Sequence, residues 1–253
     1  MCGTARLKAA PFQNVAPIDS SHRGNVCWLP MIFVPVKHLE TSKQRLSPLL
    51  SPAERFALAE AMLQDVLAAL DANRHRGYVA LVSGDARAHQ LANQYGFEVI
   101  DDPDDPGESG AIEMATRSAI ERRAEFTLVL PADIPLITAA EVEQIFAAAP
   151  NEGTVLAPSA SGRGTNAVLQ RPPGLFPLRF GNDSFLPHLA AARATGNPVE
   201  VLRLARIGID IDEPSDLADL IAAPGDTRAQ RLLEEWHISE RLAAIRLAEE
   251  RAS

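Results

Sequence analysis

From about residue 31 onward, apolar and polar positions alternate between short apolar runs and helical stripes. Residues 32–36, Ile-Phe-Val-Pro-Val, form a continuous apolar run of strand length and read as a buried strand. Ser51-Pro52-Ala53-Glu54 carries the marks of a helix start: a capping serine, proline at the first helical position and a glutamate completing the box. Ala59, Met62, Leu63, Val66, Leu67 and Leu70 follow at i, i+3, i+4 spacing, which places them on one helix face. Residues 78–83 then read as a strand, 86–95 as a helix closed by Gly96, and 97–100 as a short strand. Residues 112–123 read as a helix and 127–130 as a fully buried strand. Thr138 with Glu141 repeats the capping box and opens a helix to residue 149. Such closely spaced strand–helix units predict an α/β fold, a mostly parallel sheet with helices on both faces.

The second half is less regular. Residues 154–157 and 167–169 read as strands, 184–195 as a helix, 199–202 and 207–211 as strands, and Pro214 starts a helix through residue 222. Residues 227–250 read as one long terminal helix with Ala229, Leu232, Leu233, Trp236, Leu242 and Ile245 on one face. That face suits either packing on its own domain or a homodimer contact. Residues 1–29 are polar and mixed, without periodicity, and are expected to be a disordered leader, with Met31 as an alternative start. The expected organisation is a leader (1–29), one domain (30–225) and a C-terminal helix (226–253).

Composition narrows the function by exclusion. The 253 residues carry 24 Lys+Arg against 33 Asp+Glu, a net charge of −9, so a phosphate-coating nucleic-acid binder is not expected. A few well-placed cations binding a small anion remain compatible with that charge. No run approaches the roughly 18 apolar residues of a membrane span. Cys2 and Cys27 belong to no CxxC or Cys/His cluster, which argues against a disulfide framework or a zinc ribbon. The expectation is a reduced, cytoplasmic protein.

In parallel α/β sheets, ligands bind beyond the carboxyl ends of the strands. Four segments lie at such places. Lys37, Lys43 and Arg45 follow the first strand; they suit a polyphosphate, or form an ordinary basic surface loop. No GxxxxGK[ST] is present, so this is not a P-loop. Asp133, in Pro-Ala-Asp-Ile-Pro after the buried strand, is placed to hold a divalent cation or to serve as a turn residue. Asp210 and Asp212 alternate along an expected strand and would share a face, where a cation relieves their repulsion. Asp212 is also placed to cap the Pro214 helix. The fourth segment pairs Gly162-Arg163-Gly164-Thr165-Asn166 with Phe180-Gly181-Asn182-Asp183-Ser184. Its glycines and hydroxyls would let backbone N–H groups reach an anion, with Ser184 at a helix N-terminus; the alternative is two plain turns. His188 stands one turn into that helix, close enough to touch a ligand or to be a core histidine. The acidic run Asp101, Asp102, Asp104, Asp105 and Glu108 reads as a solvated loop, with cation binding as the alternative.

Taken in order, several segments resemble the guanylyltransferases of coenzyme F420 biosynthesis, which act on 2-phospho-L-lactate, phosphoenolpyruvate or 3-phospho-D-glycerate. The residues that carry the resemblance are Val34-Pro35-Val36-Lys37, Lys43-Gln44-Arg45-Leu46, residues 49–70, Pro131-Ala132-Asp133-Ile134-Pro135, Gly164-Thr165-Asn166-Ala167, Phe180-Gly181 with Ser184 and His188, and Asp210-Ile211-Asp212-Glu213-Pro214. The resemblance runs from Met31 to about residue 222. It implies a three-layer α/β/α Rossmann-like nucleotidyltransferase sandwich of the glycosyltransferase-A kind. It also implies a reaction in which GTP and a phosphorylated three-carbon acid give a guanosine diphospho-acid and pyrophosphate. By the same resemblance Asp133, Asp210 and Asp212 would hold Mg²⁺. Thr165, Gly181 and Ser184 would grip the acid, and Lys37, Lys43 and Arg45 would face the GTP phosphates. The chain departs from the pattern at Arg163, where the family often has another glycine, and at Glu108-Ser109-Gly110-Ala111, where many members carry a Leu-Asn pair.

Overall fold

The computed structural model describes residues 29–75, 78–102, 107–181 and 183–252. Cys2, Cys27, Asp104, Asp105, Asn182 and almost all of the expected leader lie outside the described residues. Among the described residues, seven strands form one sheet: β1 (Leu29–Pro35), β2 (Val79–Ser83), β3 (Glu98–Asp101), β4 (Ala124–Val129), β5 (Gly153–Pro158), β6 (Thr165–Arg171) and β7 (Val199–Val201). Their order is β3-β2-β1-β4-β6-β5-β7, and only β6 runs against the others. The helices are α1 (Pro52–Asp71), α2 (Ala86–Tyr95), α3 (Glu108–Glu121), α4 (Ala139–Ala148), α5 (Phe185–Ala194), α6 (Pro214–Ala222), α7 (Arg228–Glu235) and α8 (Ile238–Ala252).

The period of two in β1 sorts its side chains between the two faces. Ile32 and Val34 pack with Leu63, Val66, Leu67 and Leu70 of α1, Leu91 of α2 and Ile145 of α4. Met31 and Phe33 point the other way, into Ile112 and Ala115 of α3 and Phe185 and Ala192 of α5. This is the expected sandwich. Each of these fully buried large side chains contributes roughly 1.5–3 kcal/mol of transfer free energy. The predicted cap of α1 is present: Ser51 Oγ accepts from the Glu54 N–H at 3.3 Å, and the Glu54 carboxylate accepts from the Ser51 N–H at 2.7 Å.

α1 is apolar on two sides. Its second side, Leu58, Ala61 and Met62, meets Ile211, Leu217 and Leu220, then Ala229, Leu233 and Ile238. The expected single terminal helix is therefore two. Residues 236–237 break it, with His237 at φ 52°, so that Leu233 and Ile238 both reach this third cluster. Buried Asp65 of α1 accepts from the N–H groups of Arg228 (3.0 Å) and Ala229 (2.9 Å), fixing the start of α7 to the domain. Trp236, Leu242 and Ile245 pack on the same cluster, so this face lies against its own domain.

Other parts of the chain also differ from the sequence reading. α3 starts at Glu108, four residues early, behind Gly107 at φ 81°. Residues 207–211 are not a strand, although Ile207 and Ile211 are fully buried. Their polar groups are satisfied by turns and side chains instead: Gly208 N–H donates to Leu204 O (2.8 Å), and Gly208 O accepts from Ala160 N–H (2.7 Å). A side chain at Gly208 would meet Leu204 O at 2.9 Å, so the turn requires glycine. At α4 only half of the predicted capping box forms. Thr138 Oγ1 accepts from Glu141 N–H, but the Glu141 carboxylate is used elsewhere.

Candidate functional site

Chain order reverses around β1, which lies between β2 and β4. A cavity of about 890 Å³ opens beyond the ends of these strands. Every residue singled out above for catalysis, substrate or metal lines it: Lys37, Lys43, Arg45, Asp133, Thr165, Gly181, Ser184, Asp210 and Asp212.

One wall is charged. After β1 the chain makes two short 3-10 turns, Leu39–Thr41 and Gln44–Leu46, anchored by the buried Leu39 and Leu46. The Leu39 N–H donates to Asp85, the N-cap of α2, at 2.9 Å. Between the turns Lys43 adopts a left-handed φ of 55°, a conformation that costs a non-glycine residue roughly 1–2 kcal/mol. That conformation accompanies a side chain aimed inward: Lys43 Nζ lies 2.6 Å from Asp133 Oδ2 and 2.9 Å from Asp212 Oδ1. Burial alone would lower the pKa of this ammonium, but the charges of Asp133 and Asp212 and the hydrogen bonds to both hold it above its ordinary value. For Asp212, burial is likewise outweighed by Lys43, Arg45 and Lys37, and its carboxyl lies below the usual range.

Asp212 reaches Lys43 because capping falls to its neighbours. Glu213 is the N-cap of α6, and Asp216 accepts from the N–H groups of both Asp212 and Glu213. The Ile211 N–H donates to Asp133 O at 3.1 Å, which lays the 210–212 segment against the end of β4. Asp210 does not join the other two on Lys43. It accepts from Asn166 Nδ2 at 3.0 Å, while burial and the nearby charges of Asp133 and Asp212 raise its pKa against that hydrogen bond. Among the described residues no three His, Cys, Asp or Glu side chains form a ready-made metal cluster.

The donor set nevertheless suits a divalent cation. Asp133 and Asp212 already converge on one positive charge, and Asp210 adds negative charge that Lys43 leaves uncompensated. Mg²⁺ typically takes one or two carboxylates and completes its shell with phosphate oxygens and water.

Another part of the lining is neutral, and its two hydroxyls are buried. Thr165 and Ser184 are 6% and 5% exposed. Ser184 N-caps α5 by position, but its side chain makes no cap bond; Ser184 Oγ donates to Thr165 Oγ1 at 3.2 Å. Gly181 has φ 153°, which favours glycine, and its carbonyl accepts from the Ser184 N–H. His188 is buried behind Thr165, its Nδ1 3.0 Å from Thr165 Oγ1. Arg163 lines the cavity mouth, where its Nε donates to the exposed Asp183 at 2.7 Å.

Other contributors escaped the sequence reading. Glu108 is not in a solvated loop: it lines the cavity, and burial with the Asp133 charge pushes its carboxyl up to about 7 against the pull of Lys37 and Lys43. Ser109 beside it accepts from the Phe180 N–H at 3.0 Å. The Glu141 carboxylate accepts from the N–H groups of Arg206 and Ile207, both at 3.0 Å, and Asn166 Nδ2 also donates to Ile207 O at 2.9 Å. These bonds hold the turn that delivers Asp210 and Asp212.

A family model described as guanylyl transferase CofC like matches residues 30–246. The match thus extends beyond residue 222 and takes in α7 and part of α8. A phosphoenolpyruvate guanylyltransferase of Sphaerobacter thermophilus is 39% identical over 187 residues, 74% of this chain and 90% of that protein. Another from Roseiflexus castenholzii is 40% identical over 81% of this chain and 93% of its own length. A 2-phospho-L-lactate guanylyltransferase of Methanothermobacter thermautotrophicus is 34% identical over 80% of this chain and 89% of its own. Among solved structures, a nucleotide-diphospho-sugar transferase homologue from Desulfovibrio desulfuricans superposes with a TM-score of 0.66 at 20% identity, covering 84% of this chain and 96% of that one. That likeness concerns the fold.

Proposed function

The chain belongs to the CofC-like guanylyl transferase family, and on that premise we propose that it transfers GMP from GTP to a phosphorylated three-carbon acid in coenzyme F420 biosynthesis. The candidate acids are phosphoenolpyruvate, 2-phospho-L-lactate and 3-phospho-D-glycerate. The observation that carries this reading is a strand-end cavity lined both by cations, Lys43 among them, and by a pair of hydrogen-bonded hydroxyls. The first suits the GTP phosphates and the second a small acid.

A phosphate oxygen of the acid attacks the α-phosphorus of GTP in line. The new P–O bond forms as the bond to the bridging α,β-oxygen breaks, and pyrophosphate leaves with the electron pair. The nucleophile is already an anion, so no strong general base is required, and catalysis rests on positioning and charge. Lys37, Lys43 and Arg45 face the triphosphate; Thr165, Gly181 and Ser184 hold the acid. Asp133 and Asp212, with Asp210 beside them, would hold Mg²⁺, which when bound neutralises phosphate charge. The protein's own part is to exclude water around the buried hydroxyls and to keep two polyanions together.

The test is a pyrophosphate-release assay with GTP, Mg²⁺ and each acid in turn, ATP serving as the nucleotide control. Turnover with at least one acid and GTP is expected. Asp133→Asn should lower that turnover by at least about 10²-fold, the usual scale for losing a charge-stabilising group, with the far-ultraviolet circular dichroism unchanged. Turnover with none of the acids would overturn the reading.

A further inference from the structure

His188 is 1% exposed and takes no place in the cavity lining, yet it touches both parts of the neutral wall. Its Nε2 lies 2.9 Å from the backbone N of Arg179, and its Nδ1 lies 3.0 Å from Thr165 Oγ1. A backbone N–H only donates, so Nε2 must be the unprotonated nitrogen. The ring's hydrogen is then on Nδ1, and Thr165 Oγ1 must accept it. Ser184 Oγ donates to the same oxygen at 3.2 Å. A threonine hydroxyl has two acceptor positions and one hydrogen. With both acceptor positions filled, Thr165 is left as a donor only, and Thr165 is a residue of the cavity lining. The bond to Arg179 also fixes the segment that leads through Phe180 to Gly181, and the Phe180 ring meets the imidazole edge-on at 5.2 Å.

Building on the guanylyl-transfer reading, we propose that His188 is a positioning residue for acid recognition. Its neutral imidazole fills the acceptor side of Thr165 and thereby commits the Thr165 hydroxyl hydrogen to an anionic oxygen of the phospho-acid. The chain thus selects its acceptor substrate through a hydroxyl that can donate and cannot accept. A ligand presenting a hydroxyl or amine hydrogen at that point is refused, because no lone pair on Thr165 is free to receive it.

The experiment measures KM for the acid and for GTP separately in the full-length enzyme. His188→Phe keeps the bulk of the ring and removes both nitrogens. Its KM for the acid should rise about 10-fold, the scale of one lost hydrogen bond to an anion, with KM for GTP unchanged. In a Thr165→Val background the same change should add less than about two-fold, because the two residues act through one hydrogen bond. His188→Gln, which retains a donor and an acceptor, should recover part of the acid KM. Nitrogen-15 NMR of the wild-type imidazoles, with the His188 ring assigned, supplies a readout independent of any variant's folding: His188 is expected to be neutral and protonated at Nδ1. Equal rises in both KM values, full additivity with Thr165→Val, or a His188 ring not protonated at Nδ1 would each overturn the inference. Wild-type turnover with no acid would overturn the functional reading and this inference together. Turnover that is indifferent to His188→Phe would overturn the inference alone.

Discussion

The two walls of the cavity are built on opposite principles. The charged wall holds Lys43, Asp133 and Asp212 with side-chain exposures of 9%, 25% and 46%, so its ion pairs lie at the boundary between protein and solvent. The neutral wall holds Thr165 and Ser184, with His188 behind them, all nearly inaccessible and joined by short bonds between uncharged groups. Charge at a boundary is strong but exchangeable: a lysine ammonium, a metal ion and water can replace one another there at modest cost. A buried neutral network offers no such exchange, since each unmet donor or acceptor costs about 1–3 kcal/mol. The first wall is suited to a triphosphate that arrives with its own counter-ion and leaves as two pieces. The second is suited to discriminating among small acids that differ by few atoms.

Lys43 is where this contrast can be tested most severely. Lys43→Met keeps the length of the side chain and removes the charge that Asp133 and Asp212 share. Turnover should fall by at least about 10²-fold. Stability should fall by roughly 1–3 kcal/mol, less than for a fully buried pair because both carboxylates are partly solvated. If the charged wall is exchangeable, millimolar Mg²⁺ should raise the melting temperature of Lys43→Met more than that of the wild type. Equal shifts in thermal scans would mean that the ammonium and the metal do not compete for one place.

The sequence made these walls visible unequally. The strands were legible because buried parallel strands read as unbroken apolar runs, as residues 32–36 and 127–130 do. The cavity residues Asp133, Thr165 and Ser184 were legible because they follow strand ends or glycines in recurring patterns. What holds them was hidden. Asn166 reaches Ile207 and Asp210, and Glu141 reaches Arg206 and Ile207, across 41 to 66 residues of sequence. No local periodicity records a bond of that span. Glu108 was misread for a related reason: its neighbours Pro103 and Pro106 and the aspartates around them looked like a solvated turn, yet tertiary packing brings it into the cavity lining, within range of the Asp133 charge. Residues 207–211 misled in the opposite direction. Two buried isoleucines at even spacing imitate a strand, whereas the carbonyls between them bond to Asn166 and Ala160.

A smaller effect should appear in the pH dependence of stability. Burial lowers the His188 pKa to about 4 from an unperturbed value of 6.5. The unfolded chain therefore binds a proton that the folded chain refuses. The stability associated with the neutral ring is fully present above pH 6.5 and is lost as the pH falls from 6.5 toward 4, by up to about 3 kcal/mol at full titration. Glu108 titrates in the same window with the opposite sign: its raised pKa favours the fold at low pH and withdraws that support as pH rises from 4.5 through about 7. The difference between wild type and His188→Phe in urea melts at pH 7 and pH 4.5 isolates the histidine. The wild type should lose more stability on acidification than the variant. An equal loss would mean that the neutral wall tolerates a charge and that the contrast between the walls is overstated.

The smallest effect is expected at Arg163, the residue that stands between two glycines at the edge of the neutral wall. Its guanidinium pairs with Asp183 where both side chains are largely in water, at 64% and 75% exposure. Solvent screens such a pair, and ordering two long side chains offsets what attraction remains. The Arg163 backbone does more: its carbonyl accepts from the Phe185 N–H at 2.9 Å, a bond that any residue at this position would make. Arg163→Ala should therefore leave the melting temperature within measurement error and change KM for the acid by less than about two-fold. A larger rise in acid KM alone would show that Arg163 leaves Asp183 to meet the substrate, and that the acid is held by a charge as well as by hydroxyls. The neutral wall would then end at Thr165, and the division of labour between the two sides of the cavity would run between residues 163 and 165.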